Sequence, residues 1–361
     1  MISPDKINEL QAILKKELQG NKARIHCLSY LIVSMLKTRS VNFKQLAIGY
    51  HNGAKLSSRL RRVQRFFSQF EFCESSYCKL IAKMLPLEGP YRLSLDRTNW
   101  KLGALNINLL FLCVNYEGIG LPIFWCILGD KRGNSSQQER IDLLERFMHH
   151  FGKDRIGYLT ADREFIGEEW LSFLTHHRIR FYIRIRNNMH LRLRNGKKIK
   201  AHWLLRAQPL NQAYFHPRIV YLQDTLVYLS GIRYPGQNGA VDYLILVCFN
   251  QNDLSLDVYK NRWQIETMFK AFKSVGFHLE QTHVNNYCRL NTLLRVMAIA
   301  FIWAYNVGIH LHQRIKPIPV KKHGRRAMSL FTYGLDELSQ AFINAINTMT
   351  LRAINLFLSC T

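Results

Sequence analysis

Residues 91–128 read YRLSLDRTNWKLGALNINLLFLCVNYEGIGLPIFWCIL, and the character of the chain changes there. Three extended runs, YRLSLD, INLLFLCVN and LPIFWCIL, are separated by polar or glycine-containing turns, which predicts an antiparallel meander. In the first run Tyr91, Leu93 and Leu95 alternate, so Asp96 is expected to close the strand where the sheet meets solvent. Downstream come a helix from about Gln137 to Phe151, a short strand IGYLTAD ending on Asp162, and a second helix through Trp170 and Leu174. Strands followed by helix, strand and helix describe a mixed α/β layer.

Strands return between Arg178 and Asn250. IRFYIRIR is followed by HLRLR and KKIKA, which flank Asn195-Gly196 as a hairpin does, and then by RIVYL, TLVYLSGIRY and DYLILVCF. Eleven Lys or Arg and no acid lie between Arg178 and Gln223, so one face of this β-rich region, about 178–250, is expected to be a cationic track. Helices are expected from about Asp253 onward, interrupted by the basic loop KPIPVKKHGRRA.

On the other side of the opening stretch, Ser3 to about Leu85 carries helical spacing and almost no strand alternation. Residues 37–65 hold eight Lys or Arg and no acid, and FKQLAIGYHNGAKLSSRLRRVQRFF fits a helix, a turn at Asn52-Gly53 and a second basic helix. Arg59, Arg61, Arg62 and Arg65 are the candidate DNA contacts of that second helix. A solvated basic helix pair has the same outline. The expected division is a helical DNA-binding domain at 1–85, a catalytic core at 86–310 and a C-terminal helical region at 311–361.

The composition points the same way. Fifty Lys and Arg against 25 Asp and Glu leave a formal charge of +25, beyond what solubility requires, and nearly half of the 361 residues are hydrophobic. An ordered protein with a polyanionic partner is expected, and nucleic acid is favoured over a membrane because the cations are spread among aromatics without a terminal amphipathic anchor. The apolar run Val296–Ile309 is short for a bilayer and contains Asn306, so a buried helix is expected. The opening MISPDKINEL lacks the apolar core of a signal peptide, which suggests a cytoplasmic location. Eight cysteines without CxxC pairs read as reduced thiols, and neither His149-His150 nor His176-His177 has zinc-site spacing.

An acid after a buried strand can simply cap the next turn, so Asp96 and Asp162 become informative only with a third. Glu266 supplies it, on DVYKNRWQIETMFKAFKSVGF. In an unbroken α-helix Tyr259, Arg262, Glu266 and Lys273 fall at about 0°, −60°, −20° and −40°, one narrow stripe beside the apolar Val258, Ile265, Phe269 and Phe272. Arg262 and Glu266 are also an ordinary i, i+4 ion pair. Three carboxylates at a sheet edge and a facing helix suit phosphodiester chemistry, in which two hard divalent cations on oxygen ligands activate the attacking hydroxyl and stabilise the leaving oxygen. Neighbouring Arg and Lys would then hold DNA phosphates.

SLDRTNWKLG around Asp96, LTADREFIGEEW around Asp162 and YKNRWQIETMFKAFK around Glu266 resemble the blocks of the IS4-type bacterial insertion-sequence transposases, relatives of the Tn5 and Tn10 enzymes. Tyr259, Arg262, Glu266 and Lys273 reproduce that family's Y-R-E-K spacing without a gap. The resemblance runs from about Arg92 to Asn306. It implies a fold of class α/β: an RNase H-like mixed-sheet catalytic core with a β-rich insertion, preceded by helices that bind DNA and followed by C-terminal helices. It also implies that Asp96, Asp162 and Glu266 hold two Mg²⁺ ions, with Mn²⁺ able to substitute, and that Tyr259, Arg262 and Lys273 contact DNA near the cleaved end. In such enzymes a tryptophan of the insertion stacks on a flipped base, and Trp203 is the one tryptophan in that interval. The implied partners are double-stranded DNA at terminal inverted repeats, target DNA and a second copy of the chain in the synaptic complex, and the implied location is the bacterial cytoplasm, at the nucleoid. A structure-selective nuclease and a DNA-binding protein without catalysis are the competing classes, the latter disfavoured because all three acids are present.

Overall fold

The structure, a computed structural model, describes residues 4–50, 52–129, 133–249, 255–322 and 324–344. Ser3, Asp253, Cys360 and the last part of the expected C-terminal region, 345–361, lie outside the described residues. The chain opens with helices α1 (Pro4–Glu17), α2 (Lys22–Thr38), α3 (Phe43–Gly49), α4 (Leu56–Gln69) and α5 (Glu74–Met84). Asn21 and Asn42 cap α2 and α3 by accepting from backbone N–H groups of the first turn. Strands β1 (Tyr91–Leu102), β2 (Leu105–Tyr116) and β3 (Ile119–Ile127) follow, then α6 (Gln137–Phe151), β4 (Ile156–Ala161), α7 (Glu168–His176) and β5 (Phe181–Ile185). A capping box starts α6: Glu139 N donates to Ser136 Oγ and Ser136 N donates to Glu139 Oε2.

Next come β6 (His190–Arg192), β7 (Lys198–Lys200), β8 (Ala213–Phe215), β9 (Val220–Leu222), β10 (Thr225–Pro235) and β11 (Val241–Cys248). The described chain ends with α8 (Ser255–Tyr259), α9 (Trp263–Lys270), α10 (Tyr287–His310) and α11 (Leu330–Asn344). The strands make one sheet in the order β3-β2-β1-β4-β5-β11-β10-β9-β6-β7, with β8 on β10. β1, β4 and β5 run parallel; β2 with β3, and β11 with both β5 and β10, are antiparallel. The Asn195-Gly196 hairpin forms as β6 against β7. The strand-rich region is therefore not detached from the core, because its first strand β5 and last strand β11 extend the same sheet.

Two compact units divide the chain, and their limits differ from those expected at 85 and 310. One comprises Met1–Glu88, Trp100–Ile107 and Phe269–Thr361; the other comprises Gly89–Asn99 and Asn108–Met268. The difference comes from α10, whose residues are buried on every side and which packs on α2, α4, α5 and α11. Thr292 Oγ1 donates to Phe70 O, Arg295 donates to Phe72 O and pairs with Glu74, and Asn306 donates to Met84 O. A Cβ at Gly308 would stand 1.8 Å from Leu330 O, so α10 and α11 meet backbone to backbone. Together with the π-helical turn after it, this helix is long and apolar enough to cross a membrane, longer than the apolar run suggested, but 94% of its apolar window is buried within the protein. The described cysteines are all free; Cys27, Cys78, Cys113 and Cys248 are buried and Cys288 is exposed.

Candidate active site

In the sheet unit the parallel pair β1/β4 ends its register at Leu95 opposite Ala161, so Asp96 and Asp162 are the next residue on each strand. Asp96 does not close its strand as expected: β1 continues to Leu102, while β4 stops at Ala161, and the two aspartates follow the last paired residues where β4 leaves the sheet. The third acid stands on α9, which docks closely on β2 and β3. Gly120 of β3 lies so near α9 that a Cβ there would be 2.9 Å from Ile265 Cα, and Met268 Sδ lies 3.5 Å from Cys113 Sγ.

Arg262 joins two of the acids. Its Nη1 is 2.8 Å from Asp96 Oδ2 and its Nη2 is 2.8 Å from Glu266 Oε1, although the residue is only 5% exposed. Tyr259 donates from its hydroxyl to Asp162 Oδ1 at 3.3 Å, and Arg184 of β5 stands 4.0 Å from the same oxygen. The helix that carries these residues is not continuous: a 3₁₀ turn, Lys260–Arg262, separates α8 from α9, and a π turn, Ala271–Val275, follows. The single stripe expected from regular α-helical spacing is thus broken on both sides of Glu266, and Lys273, in the π turn, pairs with Glu280 at 3.0 Å.

Burial pushes the Asp96 carboxyl up to about 6, against the pull of Arg262 and of the Arg97 N–H it accepts from; Glu164 and Glu266 push it further. Burial likewise raises the Tyr259 phenol, opposed by Arg262 and reinforced by Asp162. Burial therefore disfavours the negative charge of Asp96, and the Arg262 guanidinium between it and Glu266 offsets part of that cost. Carboxylate oxygens are the hard donors that Mg²⁺ and Mn²⁺ prefer, so the chemistry of the acids fits such ions. Among the described residues, no group of three His, Cys, Asp or Glu is gathered closely enough to hold one ion jointly as the side chains stand. The Nε of Arg262 is buried without a hydrogen-bond partner among the described residues.

Two residues beside the aspartates escaped the sequence reading. Arg97 forks onto Glu164, Nε to Oε1 and Nη2 to Oε2, each 3.2 Å, and also donates to Gly133 O and Asn108 Oδ1. The pair ties the chain just after Asp96 to the chain just after Asp162. Arg140 of α6, buried, backs it by donating to Ser135 O and Ser135 Oγ and, more weakly, to Glu164 O. The signal was present as an Asp-Arg step in both blocks, Asp96-Arg97 and Asp162-Arg163-Glu164.

The profile of the Transposase DDE domain family matches residues 96–303, more than half of the chain, and begins on Asp96. The chain belongs to this family. Membership implies an enzyme of DNA transposition that cleaves DNA and transfers strands. Among solved structures, the chain is similar to the piggyBac transposase in a cryo-EM structure of its synaptic complex with hairpin DNA, at 12% identity, covering 95% of this chain and 79% of that one with a TM-score of 0.45. No curated protein matches the chain.

The remaining site residues of this DDE transposase sort differently from one another. Trp203 lies on a 3₁₀ turn after β7, 49% exposed, with the Arg206 guanidinium 5.3 Å above its ring. Trp263, next to Arg262 and outside the interval searched for a stacking residue, is 60% exposed. In the helical unit, α3, a turn and α4 form as expected. Arg59 is a correction: it donates to the carbonyls of Ile48 and Tyr50 and so fastens that turn instead of facing outward. Arg61, Arg62 and Arg65 are exposed and line a cavity of about 570 Å³ walled on its far side by Arg24 and His26 of α2. Arg65 also lines a second cavity, of about 780 Å³, with Gln64 and Lys44 on one wall and His283, Asn285 and Arg289 on the other. No acid is among the described residues that line either cavity. The contribution of residues 283–289 was invisible in sequence, since it depends on α10 packing beside α4.

Proposed function

We propose that this chain is an IS4-type transposase that moves an insertion sequence by cut-and-paste, with Asp96, Asp162 and Glu266 as the catalytic acids of an RNase H-like core. The observation that carries the reading is the placement of Asp96 and Asp162 just past the last paired residues of a parallel strand pair, with Arg262 bridging Asp96 to Glu266. Two divalent ions, Mg²⁺ or in their place Mn²⁺, would supply the charge that activates an attacking hydroxyl and steadies the leaving oxygen. Asp96, Asp162 and Glu266 would hold them. Tyr259 positions Asp162 through its hydroxyl, and Arg97 with Glu164 keeps the two aspartate segments together. Arg262, with an unused Nε, takes a phosphate of the cleaved end, and Lys273 a neighbouring one. Trp203 or the more exposed Trp263 is the surface on which a displaced base stacks. Arg61, Arg62 and Arg65 read the duplex at the terminal inverted repeats, with a second copy of the chain completing the synaptic complex and target DNA entering last, at the nucleoid of a bacterial cytoplasm.

The test uses DNA flanking the gene as substrate. Incubated with Mg²⁺, the full chain is expected to nick that DNA at the repeat and join the freed end to an unrelated duplex. Nicking without joining would leave a nuclease in its place, and binding with neither would leave a DNA-binding protein.

A further inference from the structure

We infer that the described residues 316–322 and 324–327 form a prebuilt cationic hairpin turn, closed by one isolated β-bridge, that grips the phosphate backbone of duplex DNA, a contact that rests on the transposase reading but uses neither the acids nor α4. From Gln281 to Leu335 the chain carries eight Lys or Arg and no Asp or Glu. Five of these cations, Lys316, Lys321, Lys322, Arg325 and Arg326, fall in this one segment, and all five are exposed.

The segment is folded. Lys321 N donates to Arg325 O and Ala327 N to Pro319 O, both at 2.8 Å, and Val320 and Arg326 form an antiparallel bridge. Gly324 turns the hairpin at φ 80°, a conformation that suits glycine. The base is fastened to the helical unit: Ile318 is buried, its N–H donates to His312 Nδ1 at 2.8 Å, and the Tyr333 hydroxyl of α11 donates to Lys316 O at 3.2 Å. Pro317 and Pro319 fix φ on either side of that anchor. The bonds across the hairpin, Lys321 N to Arg325 O, Gly324 N to Lys321 O and Ala327 N to Pro319 O, join backbone to backbone.

Cations crowded on a short ribbon repel one another, and a chain already at +25 gains little solubility from them. A polyanion removes the repulsion and releases its own counterions on binding. Duplex DNA, with one phosphate charge per about 1.7 Å of helix axis, has the charge density to answer cations crowded on so short a turn. Because the hairpin is formed before DNA arrives, little ordering entropy is lost on contact. The phosphates could belong to the transposon end or to the target, and the experiment separates the two.

The full chain and the variant K321Q/K322Q/R325Q/R326Q are titrated by fluorescence anisotropy over a salt series, with a duplex from the DNA flanking the gene, an unrelated duplex, and phosphatidylserine vesicles. The expected result is a salt dependence shallower by about two to four on the log–log plot, an affinity at least tenfold lower at about 0.1 M salt, and an unchanged melting temperature. A loss confined to the flanking duplex assigns the hairpin to the end; a loss on the unrelated duplex assigns it to the target. Equal salt slopes on both duplexes, or a loss seen on vesicles alone, overturn the inference while the transposase reading stands. A parent chain that binds neither duplex overturns both. If the fourfold variant unfolds, K321Q/K322Q and R325Q/R326Q are each expected to flatten the slope by about one to two, and two parental slopes refute the contact.

Discussion

The arginines at the sheet end and three of those on α4 are put to opposite uses. At the sheet end they turn inward: Arg262 lies between Asp96 and Glu266, Arg97 forks onto Glu164, and Arg140 is buried against Ser135. On α4 Arg61, Arg62 and Arg65 turn outward, unlike Arg59, and line cavities with no acid among their described lining residues. The formal charge of +25 is therefore the sum of two populations, cations that hold acids in position and cations left for an external polyanion. Composition counts both alike, and only the nearest partner tells them apart.

The sharpest way to break the comparison is to remove the acids that the inward cations serve. Asp96→Asn, Asp162→Asn and Glu266→Gln are each expected to lower DNA cleavage by about three orders of magnitude or more, since several kcal/mol of transition-state stabilisation depend on these carboxylates. Binding to end DNA should persist, because it draws on the other population. Nicking and gel-shift assays on the same preparations check this, and a variant that still cuts with Mg²⁺ leaves the site.

Arg262→Ala comes next. It strips the shared cation from two acids, one well buried and one with a side chain 39% exposed. Leaving a buried charge unpaired costs about 3–5 kcal/mol, and the exposure of Glu266 brings the expected loss to the lower end or below. Added Mg²⁺ should restore the melting temperature of the variant more than it raises that of the parent. Unchanged melting, with or without Mg²⁺, would show that Arg262 does not bind the acids in solution. If Arg262 also reaches a phosphate when DNA is present, the salt dependence of end binding should flatten by about one.

A smaller effect is expected at the pair that sequence reading overlooked. Arg97→Ala loses the fork on Glu164 and the bonds to Gly133 O and Asn108, worth about 1–3 kcal/mol together. Cleavage should slow about tenfold because the two aspartate segments are no longer tied. Arg97→Lys keeps the charge but not the fork, so it should recover only part of the rate. Full activity in both variants would make the pair a bystander.

Much of this arrangement was legible because it is local. Strand alternation pointed to Asp96 and Asp162, a helix was expected from about Gln137 to Phe151 where α6 forms, and Asn195-Gly196 placed a hairpin, each within a few residues. Glu266 was legible from the spacing of its neighbours. What escaped depends on contacts far apart in the chain. The 3₁₀ and π turns flanking α9 interrupt a sequence that reads as one regular helix, and regular spacing could not foresee Lys273 pairing with Glu280. The short strand β8 has only three residues and no alternation to announce it. The grouping of α10 with the first five helices rests on hydrogen bonds spanning more than 220 positions, such as Thr292 to Phe70. Arg59 looked like its neighbours in sequence, and only the fold of the turn before α4 shows that its guanidinium points at carbonyls.

That last distinction sets the subtlest test, because Arg59 and Arg65 stand on one helix, carry one charge and differ only in what they face. Arg59 satisfies the carbonyls of Ile48 and Tyr50, at 3.3 and 2.9 Å, so Arg59→Ala should lower the melting temperature by the equivalent of about 1–2 kcal/mol. Its effect on DNA should be a uniform loss that follows stability, with the salt slope unchanged. Arg65 is exposed and borders both cavities, so Arg65→Ala should leave melting where it is and flatten the salt dependence of end binding by about one. If the two variants behave alike in both measurements, the division of cations into inward and outward populations fails on α4. If Arg65→Ala alone changes the preference for end DNA over scrambled DNA, that outward face reads sequence as well as charge.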